Sequence, residues 1–208
     1  MSKTTLMAFL VIIIVVFIVY TKEGGNKLSE NLLDKDSVIL AFGDSLTYGF
    51  GASGNSSYPA YLQQKSGLKV INAGVNGEIS AEGLPRLSTF LQQKPDLVIL
   101  CHGGNDILQK LPQKDLKNNL TKMVRLIKES GAEVILVAVP DFHIFGFSTL
   151  SLYDEVADEE GILLEDDILT HIELNRALKS DYVHPNAKGY EMMADAFMKI
   201  LRDYKYIN

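Results

Sequence analysis

Val38-Ile39-Leu40-Ala41-Phe42-Gly43-Asp44-Ser45-Leu46-Thr47 is the stretch from which the rest of the chain can be read. Five consecutive apolar residues fit a strand buried on both faces rather than an alternating surface strand. The run then stops at a glycine and delivers an acid and a hydroxyl. In an open α/β sheet the loop after a strand's C-terminal end is where ligands bind. Ser45 therefore stands where a reactive hydroxyl can point out of the sheet edge.

Outward from this stretch, short apolar runs alternate with longer amphipathic ones. Strands are expected over 38–42, 69–72, 97–101, 134–139 and 162–164. Helices are expected over 58–65, 81–92, 116–130, 150–160 and 186–204. In the third of these, apolar residues at 116, 120, 123, 124, 126 and 127 make a helical stripe. Continuous apolar strands separated by helices specify a parallel five-stranded sheet covered on both faces, an α/β fold.

At 208 residues and 47% apolar, the chain has room for one domain with a sizeable core plus an appendage. The net charge of -6, with no dense basic patch, argues against nucleic acid as a partner. The single cysteine, Cys101, excludes an intramolecular disulfide and a cysteine-cluster metal site. His143 and His171 lack metal-ligand spacing, so neither a metal nor an organic cofactor is expected.

The N-terminus has a different character. Residues 6–20 are all apolar or aromatic, flanked by Lys3 and by Lys22-Glu23. A cleaved secretory signal needs small residues before the cut, whereas this run exits through Val19-Tyr20-Thr21. An apolar helix that stays in place as a membrane anchor is the preferred reading of 1–20, with cleavage and secretion as the alternative. A buried core helix fits poorly, because the run is apolar on all sides. Residues 21–36, polar and containing Gly24-Gly25, read as a linker, and 37–208 as the folded domain. The charges flanking the run barely decide orientation. A short N-terminal tail usually stays in the cytoplasm, which puts the domain on the extracytoplasmic side. Nothing in the sequence speaks to oligomeric state.

Three further motifs carry chemistry. Asn72-Ala73-Gly74-Val75-Asn76-Gly77 follows the second strand and Gly103-Gly104-Asn105-Asp106 the third, at the same sheet edge as Ser45. Gly77 N–H and the Asn105 amide suit an oxyanion, with Ser45 N–H as a further donor. Ordinary Asn-Gly and Gly-Gly turns are the bland alternative. Asp181-Tyr182-Val183-His184-Pro185 precedes the last helix. Pro185 biases His184 away from helix, so Asp181 can reach Nδ1 and leave Nε2 free for the Ser45 proton. Taken singly, Ser45 could be a helix cap and Asp-x-x-His a surface turn. Together they are the parts of an acyl-transfer hydrolase.

Other signals point elsewhere. Gly49-Phe50-Gly51-Ala52-Ser53-Gly54 matches a dinucleotide fingerprint but lacks its helix and its acid, and reads as a loop beside the serine. Cys101 and His102 are strand neighbours facing opposite ways, so they do not form a dyad; a buried structural cysteine is expected. Phe142, Ile144, Phe145 and Phe147 follow the fourth strand at the ligand edge. They line an acyl or aryl pocket or pack on a helix, and Phe142, Phe145 and Phe147 are the candidate substrate contacts.

The four blocks, in order, resemble those of the SGNH hydrolases, the GDSL esterase/lipase family, in particular the bacterial arylesterase, thioesterase I and lysophospholipase branch. The resemblance covers about residues 37–205. It implies a flavodoxin-like α/β/α sandwich with Ser45 as nucleophile, Asp181 and His184 as its partners, and Gly77 and Asn105 in the oxyanion hole. The second block has Asn76 where serine is commoner, which makes Gly74 a lesser candidate donor. The implied activity is hydrolysis of a small ester: aryl, short acyl or lysophospholipid esters, or thioesters. A polysaccharide O-acetylesterase using the same residues, and a membrane-tethered binding module without activity, are the alternatives.

Overall fold

The computed structural model describes residues 32–141 and 149–208. Five strands, β1 (Val38–Gly43), β2 (Lys69–Gly74), β3 (Leu97–Cys101), β4 (Glu133–Val137) and β5 (Leu163–Glu165), form one sheet in the order β2-β1-β3-β4-β5. Every pairing is parallel, with Leu40 opposite Ile71 on one side and Val98 on the other. All five residues of β3 are buried, as a strand covered by helices on both faces requires.

Helices α1 (Ser45–Tyr48), α2 (Tyr58–Ser66), α3 (Ser80–Leu91), α4 (Gly104–Leu108), α5 (Gln113–Glu129), α6 (Ser151–Glu160), α7 (Ile168–Glu173) and α8 (Ala187–Asp203), with a 3-10 turn at Arg176–Leu178, complete the described chain. α2 packs on α8 in one layer, while α3, α5 and α6 pack together in the other. α5 buries Leu116, Leu120, Met123, Val124 and Ile127, the stripe anticipated from its spacing. Truncating Leu120, which is fully buried, to alanine would cost about 2–5 kcal/mol. α8 starts where the Asn186 side chain accepts from Lys188 N–H and Gly189 N–H, and it buries Tyr190, Met193, Phe197 and Leu201.

The order 2-1-3-4-5 reverses direction between β1 and β3, which opens a crevice at the C-terminal ends of those two strands. β1 leads directly into Ser45, and β3 into Asn105 two residues inside α4.

Three differences from expectation have local causes. β4 stops at Val137 rather than 139, because its partner β5 ends at Glu165, whose carbonyl takes the Ala138 N–H. The short helices α1, α4 and α7 span four to six residues, too few to show a periodic stripe. Residues 32–36, expected in the linker, already belong to the domain: Leu33 is buried and its N–H donates to the Tyr206 carbonyl. The expected N-terminal apolar helix and membrane span lie outside the described residues. Among the described residues no helix is long and apolar enough to cross a membrane.

Candidate active site

Ser45 is the first residue of α1, and its position is set by the two residues before it. A Cβ on Gly43 would lie 1.9 Å from the Cys101 carbonyl oxygen, so only glycine lets β1 and β3 close together here. Asp44 then caps α1, its Oδ1 accepting from Leu46 N–H at 3.0 Å. Burial pushes the Asp44 carboxyl above its ordinary value, against the bonds from Leu46 and Gly104 N–H.

Ser45 Oγ lies 3.0 Å from His184 Nε2, although the residues are 139 apart in the chain. His184 Nδ1 is 2.7 Å from Asp181 Oδ2. The other Asp181 oxygen accepts from Val183 N–H at 2.9 Å and His184 N–H at 2.8 Å, which holds the carboxylate in place beside the ring. Burial works against the charged form of Asp181. These bonds outweigh it and hold the carboxyl below its ordinary value.

The turn carrying the pair is itself pinned. Ser180 N–H donates to the His184 carbonyl (2.9 Å), Asn186 N–H to the Leu178 carbonyl (2.8 Å), and Arg176 Nη1 to the Asp181 carbonyl (2.6 Å). Phe50 lies against the imidazole with ring centroids 4.5 Å apart, and its carbonyl accepts from Tyr190 OH at 2.7 Å. The glycine-rich 49–54 stretch is thus the wall behind the histidine.

Asn105 lines the same small cleft as Ser45, Leu46, Leu108, Val183 and His184. One hydrogen of its amide goes to the Glu78 carbonyl at 2.9 Å. An amide nitrogen has a second hydrogen to offer the cleft. Gly77 sits in the turn after β2 with φ +76° and is not among the residues lining the cleft. Gly74 is a weaker donor, because its N–H is already given to Asn72 Oδ1 at 2.9 Å.

Phe142, Phe145 and Phe147 lie outside the described residues. A larger hollow of ≈ 510 Å³ opens among Lys128, Gly131, Glu133, Gly161 and Tyr204, at the N-terminal ends of the strands. Being at the far end of the sheet, it has no part in this chemistry. Among the described residues no His, Cys, Asp and Glu cluster is arranged to hold a metal ion.

Sequence reasoning gave no role to three side chains of this region: Glu78, Arg86 and His102. Glu78 accepts Arg86 Nε at 2.8 Å and lies 3.1 Å from His102 Nε2. No local motif marks them, since they meet only when β3 and α3 pack together. Cys101 is buried, as expected.

A parallel α/β sandwich with a serine hydroxyl, a carboxylate-held imidazole and a side-chain amide at its β1/β3 crevice defines a class, the acyl hydrolases. The chain belongs to the GDSL-like Lipase/Acylhydrolase family, whose model matches residues 41–192. It is 32% identical over 168 residues to the arylesterase of Vibrio mimicus, covering 76% of this chain and 84% of that one. It is 29% identical over 174 residues to thioesterase 1/protease 1/lysophospholipase L1 of Escherichia coli K12, covering 79% and 83%. Among solved structures, the psychrotrophic esterase EstA from Pseudoalteromonas sp., inhibited by monoethylphosphonate, superposes with a TM-score of 0.73 at 26% identity. That match covers 81% of this chain and 98% of EstA.

Proposed function

We propose that this chain is a serine esterase that hydrolyses carboxylic esters or thioesters through an acyl-enzyme. The observation that carries the reading is the 3.0 Å approach of Ser45 Oγ to His184 Nε2, with Asp181 2.7 Å behind the ring. Ser45 Oγ attacks the substrate carbonyl while Nε2 takes its proton. Asp181 keeps the ring oriented and stabilises the imidazolium that forms. The Ser45 N–H, Gly77 N–H and Asn105 amide receive the negative charge on the carbonyl oxygen. Collapse of the tetrahedral species expels the alcohol or thiol, which takes the proton from His184. Water then attacks the acyl-enzyme, with His184 again as base, and releases the acid and free Ser45.

The names of the relatives span aryl esters, thioesters and lysophospholipids. The ester or thioester accepted by this chain falls in the same range, and Phe142, Phe145 and Phe147 are the proposed contacts for it. The decisive test is turnover of a chromogenic short-chain ester by Ser45→Ala. Loss of turnover with unchanged thermal stability is expected, and retained turnover refutes the reading.

The apolar run at 6–20 is proposed to anchor the domain on the outer side of a membrane. Leu32 enters beside Lys205, at the sheet edge opposite Ser45, so an anchored domain would hold its crevice away from the attachment point. Protease added to intact cells should release the domain. Full protection would overturn this orientation.

A further inference from the structure

A charged cluster lies beneath the crevice, outside the Ser-His-Asp series. His102, wholly buried, follows β3 directly. Gly103 N–H donates to its Nδ1 at 3.0 Å, so the ring hydrogen sits on Nε2 and is given to Glu78 Oε2 at 3.1 Å. Arg86, from α3, grips the same carboxylate with both ends of its fork, Nε to Oε1 at 2.8 Å and Nη2 to Oε2 at 2.5 Å. Its Nη1 also donates to the Ala73 carbonyl at 2.9 Å, and its guanidinium lies 4.2 Å from the Phe42 ring centroid. The clamp therefore ties together β1, β2, α3 and the exit of β3. A Cβ on Gly83 would come 2.3 Å from His102 Nε2, so α3 rests directly on the imidazole.

Burial opposes a charged Glu78. The bonds from His102 and Arg86 outweigh it and hold the carboxyl below its ordinary value. A buried ion pair of this kind is a poor device for stability, since apolar side chains of similar volume often do as well. What it does provide is a fixed place for the Glu78 main chain. The Glu78 carbonyl accepts the Asn105 amide at 2.9 Å, and its N–H follows Gly77 in the chain.

We propose that Glu78, clamped by Arg86 and His102, is a positioning residue for the oxyanion hole: its carbonyl aims the Asn105 amide, and its fixed backbone holds the adjoining Gly77 N–H. This rests on the oxyanion roles given above to Asn105 and Gly77. The clamp touches no reacting atom. It acts by keeping two donors, which come from separate loops, at one fixed separation. Such donors are worth most when they need not reorganise as charge develops. A misplacement of about 1 Å can cost roughly 100-fold in rate.

The test is a kinetic cycle on the full chain with a chromogenic ester. It compares the wild type with His102→Leu, His102→Gln, Asn105→Ala and the double variant His102→Leu/Asn105→Ala. His102→Leu removes the donor to Glu78 at similar volume, whereas His102→Gln keeps an N–H to give. The expected result is a fall in kcat of about 10- to 100-fold for His102→Leu, with KM within about twofold, and recovery of most of the loss in His102→Gln. In the Asn105→Ala background, His102→Leu should cost at least about threefold less than it does alone, because one of the two donors it holds is already gone and only the Gly77 N–H is left to misplace. Losses that multiply fully in the double variant, or a change confined to KM, would overturn the proposal. So would a His102→Leu enzyme with unchanged kcat. If His102→Leu does not fold, Arg86→Lys, which keeps the charge but loses the fork, is read in the same cycle. An Asn105→Ala enzyme with full kcat would instead remove the oxyanion reading itself, so the two failures are distinguishable.

Discussion

Two glutamates at the same edge of the sheet are buried almost equally and behave oppositely. Glu78 is 6% exposed and Glu165 is 8% exposed. Glu78 meets a guanidinium and an imidazole N–H, and its carboxyl is held below the ordinary value. Among the described residues Glu165, at the end of β5, receives only backbone N–H groups, from Ile168 at 3.1 Å and Asp167 at 3.4 Å, beside the acids Asp166 and Asp167. Burial pushes its carboxyl up to about 7. Burial alone does not decide the charge of an acid; what faces it does. The carboxylate held by Arg86 and His102 stands under the crevice proposed to do chemistry, while the one held by backbone N–H groups sits at the start of α7. The first corner should therefore be read out in rate and the second in stability.

The largest effect should come from Ser45 itself. Ser45→Ala should lower kcat/KM by at least about 10⁴-fold while the midpoint of thermal unfolding stays put, and Asp181→Asn should fall by about as much. A large loss of stability in Ser45→Ala would blur the separation of rate from stability that the two corners illustrate.

Next in size, Asn105→Ala should cost about 10²- to 10³-fold in kcat. A loss appearing in KM alone would place Asn105 in substrate binding instead.

Glu165→Gln sharpens the other side. A carboxyl raised by folding holds a proton that the unfolded chain releases. Stability contributed at low pH is therefore lost as pH climbs from about 4.5 to about 7, and it stays lost above. Denaturant titrations should find Glu165→Gln more stable than the wild type by about 1–3 kcal/mol at pH 8 and equal to it near pH 4. Its kcat should match the wild type throughout. A constant difference across this range would contradict the raised value.

The smallest effect is expected at Phe50, whose ring backs the His184 imidazole. Phe50→Ala should reduce kcat/KM by about 3- to 10-fold, in line with the worth of one ring contact. An unchanged kcat/KM would reduce Phe50 to surface packing.

How much of this could be read from residues alone follows from how local each signal is. The five strands and the crevice were legible because short apolar runs separated by amphipathic stretches carry their own evidence, most plainly in Val38–Phe42 and Leu97–Cys101. So was the meeting of Ser45, Asp181 and His184, since each lies at a strand exit or in a proline-stopped turn. The Glu78–Arg86–His102 clamp was not legible. Nothing along the chain pointed from His102 to an acid 24 residues earlier. The sequence already ranks Gly77 above Gly74, and the coordinates add that the Gly74 N–H is committed to Asn72 Oδ1.

Everything proposed about the reaction depends on Ser45 Oγ being made nucleophilic by the imidazole beside it. Mass spectrometry after exposure to a phosphonate ester measures this directly. The account predicts one covalent adduct, located on Ser45 in the wild type, with labelling slowed at least about 10³-fold in His184→Ala and absent in Ser45→Ala. An adduct on another side chain, or equally fast labelling without His184, would contradict it.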